Sequence, residues 1–329
     1  MKKYIIILCF LAGNQLYSYA QDAHFSQFFT APLYLGPSFA GATKGSRIVA
    51  NYRNQWPIEG LRGVYETFAF SFDHYFHKYK SGLGGLVFRD QSGKGQLGTT
   101  NFALQYSYDV IFKNDWHLRP GLYFAYTQRS IDIDPLIFPD ELSTGVTSIE
   151  VPPEEKHTAL DFGSSLLLHG KNFWFGFSVD HLTQPNQSLY GEESMLPMKI
   201  TIYGGSRTAR YGRLRRTLPE YLNYSFIFKK QDKYHQLDIG GYWFKDPIIF
   251  GSYLRWLPLI NNLAARDALI LLGGYKVENY SLLYSFDLTI SNLLLQTRGS
   301  HEISLMYEFN QEWEKRIKPK YRPVPCPEF

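Results

Sequence analysis

ETFAFSFDHYF, residues 66–76, decides the fold. Phe68, Phe70, Phe72 and Phe76 share one face of an extended chain, and Thr67, Ala69, Ser71 and Asp73 share the other. Alternation with period two is the mark of a β-strand. NFALQYSYDV, residues 101–110, repeats it, with Phe102, Leu104, Tyr106, Tyr108 and Val110 set against Asn101, Ala103, Gln105, Ser107 and Asp109. ALDFGSSLLL, FWFGFSVD, YLNYSFIF, HQLDIGGYW, YSLLYSFD and HEISLMYEF follow the same pattern. A soluble β-sandwich also alternates. Here, however, the polar face is built largely of Gly, Ser, Asn and Thr, and the apolar face of Phe, Leu and Tyr. That combination suits a barrel whose outer wall meets lipid. The segments are close to the about 9–11 residues a strand needs to cross a membrane.

Composition agrees. Aromatic residues make up 17% of the 329, with 25 Tyr and 25 Phe, yet mean hydropathy is slightly negative at −0.26. A membrane barrel reconciles the two, because aromatics ring both interfaces while the lumen stays polar. No apolar run is long enough for a membrane helix. Residues 1–20 read as a signal peptide: Lys2 and Lys3 are the basic start, Tyr4 to Ala12 the apolar run, and Ser18-Tyr19-Ala20 the small-residue cleavage site. Cleavage leaves Cys326 as the lone thiol, so no intrachain disulfide is expected. The net charge of +4 is mild and scattered, which argues against nucleic acid as a partner.

The pattern predicts an all-β fold, a transmembrane antiparallel β-barrel of about fourteen strands. Strands are expected to begin near residues 46, 65, 81, 97, 116, 159, 172, 197, 217, 234, 247, 268, 279 and 300. Connections at one end are short (HKYKS, KND, HGK, KDP, VEN), and several at the other are long, as in outer-membrane barrels with periplasmic turns and outer loops. The expected organisation is a signal peptide at 1–20, an N-terminal plug or strap at 21–45, a barrel at 46–310 and a Pro-rich periplasmic tail at 311–329. Both termini are expected on the periplasmic side of a bacterial outer membrane.

Several short stretches together resemble the PorP/SprF family of the type IX secretion system. They are HFSQFF at 24–29, APLYLGPSFAG at 31–41, NYRNQW at 51–56, SHEISLMYEF at 300–309 and PCPEF at 325–329. Gly36 and Ser38 depart from the family pattern, standing where Asn and Ala are expected. The resemblance implies a non-enzymatic outer-membrane component of secretion and gliding motility. It also implies two kinds of partner: a secreted adhesin recognised through its C-terminal domain, and periplasmic ring components of the machine. The rival expectation is a channel or a transporter of hydrophobic substrates.

Site expectations follow from parity and composition. The opening segment carries Phe25, Phe28, Phe29, Tyr34 and Phe39, with Pro32 and Pro37 stiffening its path. So many aromatics must be buried or used, and they are expected to enter or cap the lumen from the periplasmic side. Arg53, Arg89, Arg129 and Arg255 are expected on lumen-facing positions near the outer mouth, where they would bind an acidic partner segment. The blander reading, internal pairing with Asp161, Asp180 and Glu302, is preferred, because charges inside a barrel usually pair. Arg210, Arg213, Arg215 and Arg216 form a basic periplasmic turn that could dock a partner. Cys326 sits in the tail as a free thiol. No HExxH, GxSxG or phosphate-binding glycine pattern occurs, so no enzyme, metal or cofactor is expected.

Overall fold

A computed structural model describes residues 22–43, 45–57, 65–93, 95–136, 138–145, 155–191, 193–210, 220–257, 265–290 and 298–309. Fourteen strands form the wall: β1 (Ser46–Gln55), β2 (Tyr65–Phe76), β3 (Ser81–Ser92), β4 (Leu97–Tyr108), β5 (His117–Ser130), β6 (Lys156–His169) and β7 (Phe173–Asp180). They continue as β8 (Lys199–Arg210), β9 (Glu220–Gln231), β10 (Tyr234–Lys245), β11 (Ile248–Leu257), β12 (Ala265–Val277), β13 (Tyr280–Thr289) and β14 (Ser300–Phe309). A two-residue piece, Val110–Ile111, extends the edge of β4 against Leu118 and His117. Every neighbour is antiparallel, and β1 closes the circle on β14 from Ser46↔Phe309 to Gln55↔Ser300. Closure leaves no free sheet edge, which a lipid setting demands. The expected strand starts fall within three residues of these bounds, the widest gaps being at Lys156, Glu220 and Ala265.

Alternation sorts the two faces of the wall. Phe68, Phe70, Phe72 and Phe76 point outward and are exposed, while Ala69, Ser71 and Asp73 are buried inside. In β4, Phe102, Leu104, Tyr106 and Tyr108 face out, and Ala103, Gln105 and Ser107 face in. The core of this protein is therefore the lumen, and its outward apolar face is solvated by hydrocarbon. No helix among the described residues is long and apolar enough to cross a membrane.

Ser46 and Phe309 define one end of the barrel, called here the terminus end; the opposite end is the loop end. Connections 77–80, 170–172, 246–247 and 278–279 are short and lie at the terminus end. Connections 131–155 and 181–198 lie at the loop end, the first carrying a one-turn helix, α1 (Pro139–Thr144).

Arg89 requires a correction. It was expected in the lumen, but it is exposed on the outer wall opposite Phe68. Both faces of β3 are apolar, so its phase was ambiguous. Leu86 and Phe88 take the inward positions, and that sends Arg89 out. The signal peptide, Arg213, Arg215, Arg216 and the tail with Cys326 lie outside the described residues, as does the side chain of Arg210.

Candidate functional site

Residues 22–43 cross the lumen. Prolines keep the segment out of a strand, but they do not break every turn: Pro32 opens a single helical turn, Pro32–Leu35, and Pro37 opens a 3-10 turn, Pro37–Phe39. Proline at a first helical position has no hydrogen bond to lose. Each ring finds a partner on the wall. Tyr34 stacks on Phe88 at 4.8 Å, and Phe25 meets both edge-on. Phe28 and Phe29 each lie 5.7 Å from Tyr253, and Phe39 lies 5.4 Å from Tyr203. Such pairs add to the burial of large apolar area.

Polar anchors fix the direction of the segment. Near the terminus end, the Gly41 N–H donates to Asp73 Oδ2 at 2.7 Å, and Arg47 Nε donates to Asp73 Oδ1 at 2.9 Å. Arg119 Nε donates to the Ser38 carbonyl at 3.0 Å, and Ser107 Oγ to the Ala40 carbonyl at 2.8 Å. Two glycines let the segment touch the wall. A Cβ on Gly82 would come within 1.9 Å of the Ala40 carbonyl oxygen, and one on Gly121 within 2.3 Å of the Ser38 nitrogen.

Toward the loop end, Glu302 accepts the N–H groups of Ser26 and Gln27 at 2.7 and 3.0 Å. Arg53 pairs with Asp287 at 3.0 Å and with Glu302 at 3.2 Å; Arg255 pairs with Asp287 at 3.0 Å and Asp238 at 3.3 Å. Two of the four arginines assigned to the mouth thus hold an internal network. Arg129 reaches Gln187 at 2.9 Å.

The first described residue, Asp22, lies at the loop end. It meets His181 at 2.8 Å and Lys199 at 3.0 Å, and its N–H donates to Gln231. His181 also meets Asp161 at 2.6 Å, and Lys199 meets Asp180 at 3.1 Å. Burial would depress the His181 pKa, but Asp22 and Asp161 outweigh it and raise the pKa to about 10. Burial likewise opposes the charge on Asp22, yet Lys199 and His181 hold its carboxyl well below the usual range. The segment runs the length of the lumen, from Asp22 at the loop end to Ser46 at the other.

Beside the segment a cavity of about 530 Å³ remains at the loop end. Leu33, Tyr34, Phe88 and Tyr123 supply apolar lining, and Arg129 and Asp90 supply charge. Sequence reasoning missed Asp22, His181, Lys199, Arg119 and the role of Glu302 as a cap for two backbone N–H groups. Parity alone would have turned Glu302 and Asp287 inward, but their contact with residue 26 spans more than 250 positions and leaves no local trace.

Among solved structures, the chain resembles the outer membrane protein Omp33 of Acinetobacter baumannii (8% identity, 82% of this chain and 100% of that one, TM-score 0.46). It also resembles the P. putida toluene transporter TodX (10% identity, 83% and 92%, TM-score 0.44) and LpxR from Salmonella typhimurium (10% identity, 80% and 100%, TM-score 0.39). No curated protein matches the chain. The family described as type IX secretion system membrane protein PorP/SprF matches residues 17–307. With a closed fourteen-strand barrel, an apolar outer wall and a match over most of its length, the chain is an outer-membrane β-barrel that belongs to the PorP/SprF family of the type IX secretion system.

Proposed function

We propose that this protein is a non-enzymatic recognition component of type IX secretion, that its N-terminal segment plugs the barrel, and that its loop-end mouth receives the C-terminal domain of a secreted surface adhesin. One observation carries the reading. Anchors along the whole lumen hold residues 22–43, and the space they leave is a cavity at the loop end lined by both apolar and charged side chains. A lined pocket of that kind suits binding of a group better than free passage of solutes. The basic stretch with Arg210, Arg213, Arg215 and Arg216, which lies outside the described side chains, would be the surface that meets acidic periplasmic ring components.

The test is purification from native membranes in mild detergent, with mass spectrometry of what accompanies the barrel. An adhesin held through its C-terminal domain supports the reading. Absence of both adhesin and ring components, together with steady conductance of the pure protein in a bilayer, would replace it with a channel.

A further inference from the structure

Among the described residues, one group brings three metal-ligating side chains together. Ligand atoms of Asp109, His117 and His169 lie within 4.8 Å of one another, and all three residues are buried. They stand at the terminus end on adjacent strands: Asp109 just after β4, His117 at the start of β5 and His169 at the end of β6. We propose that His117 and His169, with Asp109 orienting His117, bind a transition-metal dication of the zinc class.

Register supplies the first argument. His117 and His169 are directly opposed across the β5–β6 ladder, and both face inward. Opposed residues hold their Cβ atoms about 5 Å apart, so two imidazoles can converge on one ion with bonds of about 2.0–2.1 Å. The rings now stack 4.6 Å apart at 7°. With His117 held by Asp109, rotation of the His169 ring alone about its outer, soft torsion would turn a nitrogen toward the ion that His117 Nε2 faces.

Tautomer supplies the second. His117 Nδ1 lies 2.9 Å from Asp109 Oδ1. A carboxylate oxygen only accepts, so Nδ1 carries the proton and Nε2 of the neutral ring keeps its lone pair. That is the arrangement in which a carboxylate orients a histidine toward a metal. His117 Nε2 is buried and finds no hydrogen-bond partner among the described residues, a costly state for a polar atom unless a ligand meets it.

Charge selects the ion. The other oxygen of Asp109 accepts from the Tyr75 hydroxyl at 3.2 Å and lies 3.7 Å from Arg119. The carboxylate is thus largely compensated, and the donor type that the site offers is imidazole. Imidazole suits zinc, nickel and copper, whereas magnesium and calcium need oxygen ligands. Arg119, beside the trio, also holds the Ser38 and Ala40 carbonyls. An ion here would tie β4, β5 and β6 together beneath the point where the N-terminal segment leaves the lumen.

The experiment titrates zinc chloride, by calorimetry, into the full mature chain purified without a histidine tag and stripped with chelator. One zinc per chain is expected at micromolar affinity or tighter, with no saturable magnesium uptake. Asp109→Asn should weaken binding by about 10–100-fold, the range for loss of a supporting group, and His117→Ala should abolish saturable uptake. No saturable zinc uptake, or equal uptake by folded His117→Ala and His169→Ala barrels, would overturn the proposal. If the variants do not fold, the wild-type chain decides: zinc, but not magnesium, must raise its melting temperature, as a ligand of the native state does. Absence of that rise also overturns it.

Discussion

The two ends of the N-terminal segment are held by different chemistry. At the terminus end the wall grips the backbone: Asp73 takes an N–H, Arg119 and Ser107 take carbonyls, and Gly82 and Gly121 make room for the main chain. At the loop end the last grip is a side chain, Asp22, set between His181, Lys199 and Gln231. Glu302 stands between these styles, a charged side chain that caps two backbone N–H groups. A backbone grip is indifferent to the gripped side chain. A side-chain grip can be loosened by one substitution or by a proton. On this contrast, the segment should yield from the loop end first.

The largest effect is expected where charge and backbone meet. Glu302→Gln leaves one backbone N–H facing an amide NH2 and removes the charge beside Arg53, which is buried. Breaking a buried pair by removing one partner costs about 3–5 kcal/mol. The urea midpoint of the folded form, followed by gel mobility, measures the change, and a loss below about 1 kcal/mol would show that the cap is dispensable. Next comes the close approach at Gly82. Gly82→Ala puts a methyl into the Ala40 carbonyl, and overpacking of this kind costs about 1–3 kcal/mol. It should also displace the segment and raise the bilayer conductance above that of the parent chain. A closed, fully stable Gly82→Ala barrel would mean that the floor yields more readily than its geometry implies.

These two sites mark the limit of what the sequence discloses. Wall residues repeat every two positions, so Phe68, Phe70 and Phe72 declare their face without reference to any other part of the chain. The resulting strand starts lie within three residues of the observed ones. The segment has no period. Its aromatics announce that it is buried, but not its route, because its anchors are set by strands far along the chain: Ser26 meets Glu302 across 276 positions and Ser38 meets Ser165 across 127. Nothing local distinguishes a chain that enters at one end from a chain that runs the whole lumen. The His117–His169 pair was hidden for the same reason, since it exists only in the β5–β6 register.

A smaller effect tests the loop-end grip directly. Asp22→Asn keeps the shape and removes the charge that joins His181 and Lys199, at a cost of about 1 kcal/mol, as for an ordinary net hydrogen bond at a partly exposed site. Hydrogen exchange over residues 22–30, normalised for intrinsic rates, should quicken while exchange over 36–43 stays unchanged. The same grip depends on pH. The His181 pKa is raised from 6.5 to about 10, so its contribution is complete below 6.5 and is lost as pH climbs toward 10. The Asp22 pKa is lowered from 3.8, so its contribution is present above 3.8 and fades as pH falls below that value. Exchange at the loop end should therefore be slowest between these limits and should quicken on the alkaline side. A flat profile in the wild-type chain would mean that Asp22 does not hold the segment.

The smallest effect separates two arginines that look alike in sequence. Arg53 and Arg89 both lie toward the loop end of their strands, but Arg53 is buried against Asp287 and Glu302, whereas Arg89 is exposed outside, opposite Phe68. Phe88 explains the difference: it must face inward to stack on Tyr34, and its neighbour in a strand must then face out. A long basic side chain there can lay its stem along the apolar wall and carry its charge to the interface. Arg89→Gln should accordingly leave the urea midpoint and the loop-end exchange unchanged, while Arg53→Gln moves both. If Arg89→Gln loosened residues 22–30 as Arg53→Gln does, Arg89 would belong to the lumen network after all, and the inward phase of Phe88, on which the Tyr34 stack depends, would have to be given up.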